Sequence, residues 1–188
     1  MNSLKNILSE IATLTDKLSK ENSNIEEEIS TKNQLSKLLN DAEKLQHLQF
    51  LSTHECAIKD TEISLYLDND KHSQKYIIIN SSTKDYIGEI IYTNLNPDDT
   101  KKYGNIAYYV SNEKRGNNYA LKALNLLSDL LYAKGIKSIY IAAKPDNIAS
   151  IKTIETFGGK ISNFSNNTTI VYYCNLNKIK KSINKNPR

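Results

Sequence analysis

The sequence predicts an α/β fold, a mixed sheet that is mainly antiparallel at its start and flanked by helices, with a separate helical segment ahead of it. Three observations carry this reading. The first 49 residues contain no Gly, Pro or aromatic residue, whereas all six glycines fall at or after Gly88 and all twelve tyrosines at or after Tyr66. From residue 62 the apolar pattern changes to a period of two, the signature of half-buried strands. Beyond residue 110 helical and strand patterns alternate, which argues for helices packed against a sheet.

In the first 48 residues Leu4, Ile11, Leu18 and Ile25 recur every seven positions, with Ile7 and Leu14 three positions after the first two. This is a short heptad seam on a charged helix. It breaks at Asn22, Ser23 and Asn24, ahead of the acidic run Glu26, Glu27 and Glu28, and a second stripe follows through Leu35, Leu38, Leu39, Ala42 and Leu45. The expectation over about residues 2–48 is two helices or one bent helix. Such a segment can act as a hairpin packed on the following domain or as a short coiled coil that joins a second copy or a protein partner.

The strand pattern begins with Ile63, Leu65 and Leu67 alternating with polar neighbours. Residues 76–80 and 86–93 are β-rich and flank a polar stretch, 81–85, that reads as a hairpin loop. Residues 105–110 form another strand. Ala120, Ala123, Leu124, Leu127, Leu130 and Leu131 then make one face of a helix, which Gly135 ends as a C-terminal cap. Residues 138–143 form a short apolar strand closed by Pro145, residues 147–156 a shorter helix ending before Gly158 and Gly159, and strands are expected near 160–164 and 169–175. The domain expectation is a helical segment at 1–48, an α/β domain at 62–176 and a basic tail at 177–188.

Composition narrows the class. With 188 residues, 39% apolar and 24% charged, the chain suits one globular domain with an appendage and is too apolar for wholesale disorder. No apolar run approaches the roughly 18 residues that span a bilayer, and the amino terminus lacks the apolar core of a signal peptide, so a cytoplasmic protein with no membrane partner is expected. Cys56 and Cys174 are far apart and unpaired by any CxxC spacing, which reads as two isolated thiols in a reducing compartment. The net charge of +4 owes much to Lys178, Lys180, Lys181, Lys185 and Arg188 in an acid-free tail. The rest is near neutral, and a nucleic-acid partner is not expected. His47, His54 and His72 show no metal-ligand spacing, and no metal is expected.

The chemistry-bearing segment lies between the strand ending at Val110 and the helix beginning near Asn118. It reads Ser111, Asn112, Glu113, Lys114, Arg115, Gly116, Asn117, Asn118, Tyr119, Ala120. A strand that passes through a Gly- and Asn-rich turn into a helix offers free backbone N–H groups at the positive end of the helix dipole, an arrangement suited to phosphate. Arg115 is one of only two arginines in the chain, and its fixed, always charged fork suits the same ligand. An ordinary surface loop rich in left-handed residues has the same pattern.

The run Gly104-Asn105-Ile106-Ala107-Tyr108-Tyr109-Val110, then Arg115-Gly116-Asn117-Asn118-Tyr119-Ala120, then Asp146-Asn147-Ile148-Ala149-Ser150 with Ile154-Glu155 and Gly158-Gly159, resembles the GCN5-related N-acetyltransferase superfamily. The resemblance spans roughly residues 62–176. It implies an acetyl-CoA-dependent N-acetyltransferase, a transferase that moves an acetyl group to a primary amine of a small molecule, peptide or protein by direct attack on the thioester. It implies a coenzyme A site at Tyr109, Val110, Arg115, Gly116, Asn117, Asn118, Tyr119, Ala120 and Asn147, with the preceding strand splayed to receive the pantetheine arm. In two places the chain departs from the pattern. Asn118 stands where the motif has its second glycine, and the two strands around residues 63 and 76 are joined too closely to hold the helices the family inserts there. These departures keep open a second reading, a degenerate binding module that uses its helices for a partner.

Acetyl transfer needs a neutral amine, a polarised carbonyl and a stabilised thiolate. A lysine-like amine with a pKa of about 10.4 is almost wholly charged at neutral pH, so a base helps. Glu89, an acid among Ile87, Ile90 and Ile91, is the candidate, and a residue that merely faces solvent is the alternative. Backbone N–H groups near Tyr109 and Val110 would polarise the carbonyl. Many relatives place a tyrosine seven residues after the helix asparagine to serve the thiolate; here that position is Ile154, and Ser150 is the substitute candidate. A helix-start serine that only bonds backbone would look the same.

Overall fold

The computed structural model describes residues 4–19, 25–69 and 73–179. The chain divides between His54 and Glu55 into two compact units. The first holds α1 (Leu4–Leu18) and α2 (Ile25–Thr53), so the expected segment is two helices, and the second of them runs five residues further than its apolar stripe suggested. The heptad seam holds within α1 only: Leu4, Ile11, Leu14 and Leu18 are partly covered and Ile7 is buried, while the rest of α1 is exposed. Ile25, the seam's next position, opens α2 and is exposed. On α2 the covered positions as far as Leu45 are Glu28, Thr31, Leu35, Leu38, Ala42 and Leu45, the spacing of one helix face, and His47, Phe50 and Leu51 are partly covered beyond it. Leu39 falls off that face and is exposed. Glu26, Glu27 and Glu28 lie in the first turn of α2, where the dipole favours acids, and Lys17 reaches Glu27 at 2.8 Å.

The second unit is one eight-stranded sheet. Its strands are β1 (Cys56–Lys59), β2 (Ile63–Asn69), β3 (Ser73–Asn80), β4 (Tyr86–Thr93), β5 (Ile106–Val110), β6 (Ser138–Ala143), β7 (Lys160–Ile161) and β8 (Ile170–Asn175), in the spatial order β1-β2-β3-β4-β5-β6-β8-β7. Every neighbouring pair is antiparallel except β5 and β6. β2 and β3 pair directly from Ile63↔Asn80 to Asn69↔Gln74, so no helix is inserted between them. The helices are α3 (Pro97–Tyr103), α4 (Tyr119–Ala133) and α5 (Ile148–Phe157).

Register sorts the side chains by face. Leu65, Ile78, Ile90 and Ile106 fall on the face that joins the core with Ala123, Leu124, Leu127 and Leu131 of α4 and Ile154 and Phe157 of α5. Gly135, at φ 87°, ends α4 as its composition suggests. Of the two free thiols, Cys174 is buried in this core and Cys56 is exposed.

Three elements differ from expectation. α3 is a helix of seven residues with no buried side chain, so it leaves no apolar period to read. β1 is an edge strand in which only Ile58 is partly covered. The strand expected at 160–164 pairs over two residues only, with Ile161 and Phe164 exposed. The tail is described as far as Ile179, whose side chain joins the core; residues 180–188, with Lys180, Lys181, Lys185 and Arg188, lie outside the described residues, as does His72. No described helix is long and apolar enough to cross a membrane.

Candidate functional site

The site grows from the meeting of β5 and β6. These parallel strands share a single rung, Ile106↔Ile141. The base of the fork is pinned by Asn105, which is buried, donates its N–H to Tyr140 O at 2.8 Å and accepts the Tyr140 N–H on its side-chain oxygen at 2.9 Å. Past that stitch the strands part. On its other edge β5 stays paired with β4 from Ile106 to Val110, and the Ser111 N–H donates to Ile87 O at 2.9 Å. Antiparallel alternation therefore turns the backbone groups of Tyr109 and Ser111 toward β4, and those of Tyr108 and Val110 toward the open side of the fork. Gly88 permits this close pairing: a Cβ there would stand 2.0 Å from Tyr109 O and 2.9 Å from Val110 Cα.

After Val110 a short 3₁₀ turn, Asn112–Lys114, leads through Arg115, Gly116 at φ 82° and Asn118 at φ 57° into α4. The Asn118 side chain makes no capping bond, so the first N–H groups of α4 have no side-chain partner from it. Asn117 turns inward on the loop, donating to Lys114 O at 3.1 Å and Arg115 O at 3.2 Å. Arg115 Nε donates to Val110 O at 3.1 Å, and its guanidinium carbon stands 6.0 Å from the centre of the Tyr109 ring. That bond fixes the arginine across the turn and uses one of its five donors.

Across the fork, Asn147 caps α5, accepting the Ser150 N–H at 3.1 Å. The Tyr108 hydroxyl spans the gap and donates to Ser150 O at 3.4 Å. Burial pushes the Tyr108 pKa up, against smaller lowering effects from Ser150 and Thr153, so the phenol keeps its proton at neutral pH.

These elements enclose a cleft of about 500 Å³ whose walls include Lys114, Arg115 and Lys152 and no carboxylate. Of the residues expected at a coenzyme A site, Tyr109, Val110, Arg115, Gly116, Asn118, Tyr119, Ala120 and Asn147 line it, as does Ser150. Asn117 does not, since its amide holds the loop. Glu89 does not either. It pairs in register with Tyr109 on the opposite face of the sheet, next to Ile77 of β3. Nearby on that face Lys75 meets Asp68 at 2.6 Å, and this hydrogen bond is the main cause of its raised pKa, with Glu89 adding to it. Ile154 is fully buried, and a Cβ on Gly159 would stand 2.6 Å from its Cγ2, so this position is packed from both helix and loop.

Two residues, Asn105 and Tyr108, stand in the run that carries the resemblance, but nothing in the sequence assigns either a role. Asn105 carries no local signal, because its role depends on a strand 35 residues away. Tyr108 reads as one more core residue, in step with Ile106. Among the described residues no group of His, Cys, Asp and Glu could hold a metal ion.

Among solved structures, the chain is similar to RimL, a ribosomal L7/L12 alpha-N-protein acetyltransferase, at 14% identity over 65% of this chain and 98% of that one, with a TM-score of 0.53. It is also similar to a mutant form of the spermidine/spermine N-acetyltransferase SpeG from Vibrio cholerae, at 15% identity over 61% and 73%, with a TM-score of 0.49. No curated protein matches the chain significantly. A family model described as an acetyltransferase (GNAT) domain matches residues 30–160, from within α2 to the first residue of β7. That match takes in more than half of the chain, including the fork, the turn and both helices around the cleft, and the chain belongs to the GNAT acetyltransferase family.

Proposed function

We propose that the chain is an acetyl-CoA-dependent N-acetyltransferase acting on a primary amine of a small molecule, peptide or protein. The observation that carries this is the charge of the cleft: Lys114, Arg115 and Lys152, the amino terminus of α4 and no lining acid, although Lys114 also meets Asp85 at 3.6 Å, at the mouth of a fork whose two strands share a single rung. A diphosphate with a slender amide-bearing arm fits that donor set, the anion at Lys114, Arg115 and the α4 turn, the arm along β5. Lys152 adds a third positive charge.

Acetyl-CoA would supply a thioester carbonyl open to attack by a neutral amine. The Val110 N–H, aimed into the fork, donates to the carbonyl oxygen as its charge develops. Glu89, beside Tyr109 on the opposite face of the sheet, would take the proton shed by the amine, relayed to it by water. Asn147 and Ser150 set the first turn of α5 at the far end of the cleft. Asn118, Tyr119 and Ala120 present the helix start to the phosphates.

Titration calorimetry with acetyl-CoA tests the reading. Arg115→Ala should weaken binding by about 1.5–3 kcal/mol, the loss of a charge-assisted hydrogen bond. No heat from the parent protein at millimolar acetyl-CoA would sink the proposal, and an unchanged affinity would remove Arg115 from the site. Release of free thiol on adding a panel of primary amines then separates catalysis from binding. The packed, hydroxyl-free Ile154 favours the second reading, a module that binds coenzyme A without turnover, and binding with no thiol release from any amine would establish it.

A further inference from the structure

When the carbon–sulfur bond breaks, its electron pair goes to sulfur, and Lys114 and Arg115 of the turn cannot serve it if they hold the phosphates at the other end, which leaves the α5 side of the cleft, with its hydroxyls and Lys152, to supply the donor. Five residues that carry a side-chain hydroxyl are among those lining the cleft: Tyr108, Tyr109, Tyr119, Ser150 and Thr153. Tyr119 is the first residue of α4, at the phosphate end, with the Lys122 ammonium 5.3 Å from its ring centre. Tyr109 points to the opposite face of the sheet, in register with Glu89. The Thr153 hydroxyl donates within its helix to Ala149 O at 2.9 Å. This leaves Tyr108 and Ser150, and a phenol is the stronger donor of the two. The bond that the Tyr108 hydroxyl makes to Ser150 O is long, at 3.4 Å, so little is lost when a better acceptor arrives.

We propose that Tyr108, reaching across the fork from β5, donates the hydrogen bond that stabilises the departing thiolate, with the Ser150 carbonyl holding the hydroxyl in place beforehand. The inference rests on the acetyl-CoA reading of the cleft. The nitrogen–carbon bond forms, the carbon–sulfur bond breaks, and the proton shed by nitrogen passes to Glu89 and from there reaches sulfur through solvent; Tyr108 keeps its own proton throughout. Its burial supports that, because a desolvated phenol resists ionisation. The donor thus comes from the strand, and the buried Ile154 on α5 is not needed for it.

Paired titrations with coenzyme A and desulfo-coenzyme A, which lacks the thiol, read this contact without turnover. Above the thiol pKa of about 8.5, at about pH 9.5, the parent should bind coenzyme A at least about tenfold more tightly than the desulfo form, the worth of a hydrogen bond to a charged group. Tyr108→Phe should cut that preference to within about twofold while still binding both, as fits the loss of one such bond. A preference that survives in Tyr108→Phe, or that is lost in Ser150→Ala and kept in Tyr108→Phe, overturns the proposal. If Tyr108→Phe fails to fold, the parent alone decides: its preference must grow between neutral pH and about pH 9.5 as the thiol ionises, and a flat profile overturns the assignment. Failure of the parent to bind either compound defeats the acetyl-CoA reading itself, and the inference with it.

Discussion

Asn118 shows how one residue can be read in two directions. At φ 57° it occupies the left-handed region, where glycine is free and asparagine tolerated, and its side chain lines the cleft without capping α4. Since that side chain makes no bond that holds the turn, Asn118→Gly should tighten coenzyme A binding by about 0.5–1.5 kcal/mol, by relieving the backbone and clearing the approach to the helix N–H groups. Weaker binding in titration would mean instead that the amide donates to the ligand. Cys174 offers a test of the core. Burial pushes its thiol up to about 12 from 9.0, so between those values the folded state holds a proton that the unfolded chain releases. Its contribution is whole below about pH 9 and is lost as pH rises toward about 12, a fall of about 1.4 kcal/mol per pH unit. Urea melts of the parent and Cys174→Ala across that window should differ in slope by about that amount, beneath a fall shared by both from buried tyrosines such as Tyr76 and Tyr92. Equal slopes would mean that the thiol ionises as freely in the fold as outside it.

Among the elements, β5 has the most exacting position, because it is clamped on one edge and open on the other. Gly88 is where the clamp depends on a missing side chain. Both atoms a Cβ would strike belong to the β5 backbone, so relief requires the strands to move apart. Gly88→Ala should cost about 3 kcal/mol or more in urea denaturation, at the upper end of overpacking changes, and should weaken acetyl-CoA binding with it. A stability within about 0.5 kcal/mol of the parent would show that β5 has slack. The elements also show what a sequence can tell. Strands with one buried face, such as Ile63, Leu65 and Leu67, and helices with one apolar stripe, such as α4, are periodic because burial is periodic. α3 had its signals in plain view, with Asn96 accepting from Asp98 and Asp99, Pro97 at its first position and Gly104 at its end, but it buries nothing and so has no stripe. The fork is different in kind. One rung between strands over thirty residues apart is a tertiary event, legible only through the resemblance of the flanking motifs, and Asn105 and Tyr108 acquire their roles from it.

At the scale of the molecule, the two units have unequal means of support. The helical unit buries few large side chains, and Ile25, Ile29, Leu39 and Leu48 remain exposed. The second unit has a continuous core, and every residue of that cluster lies between Ile63 and Ile179. Its sheet contributes Leu65, Ile78, Ile90 and Ile141, its helices Leu124, Leu127 and Ile154, and the chain beyond β8 returns Leu176 and Ile179 to close it. A cluster of this kind satisfies the condition for a domain able to fold alone, one core drawn from its own elements. Residues 55–188 expressed without the helices should therefore unfold in a single cooperative transition by circular dichroism, with coincident near- and far-ultraviolet signals. The cleft is also built within that unit, from the β5–β6 fork, the α4 turn and the start of α5, so the shortened chain should bind acetyl-CoA with an affinity within about threefold of the full chain, a difference below about 1 kcal/mol. A broad melt with no near-ultraviolet signal would show that the core needs the helices, while a sharp melt with lost binding would show that α1 and α2 complete the site.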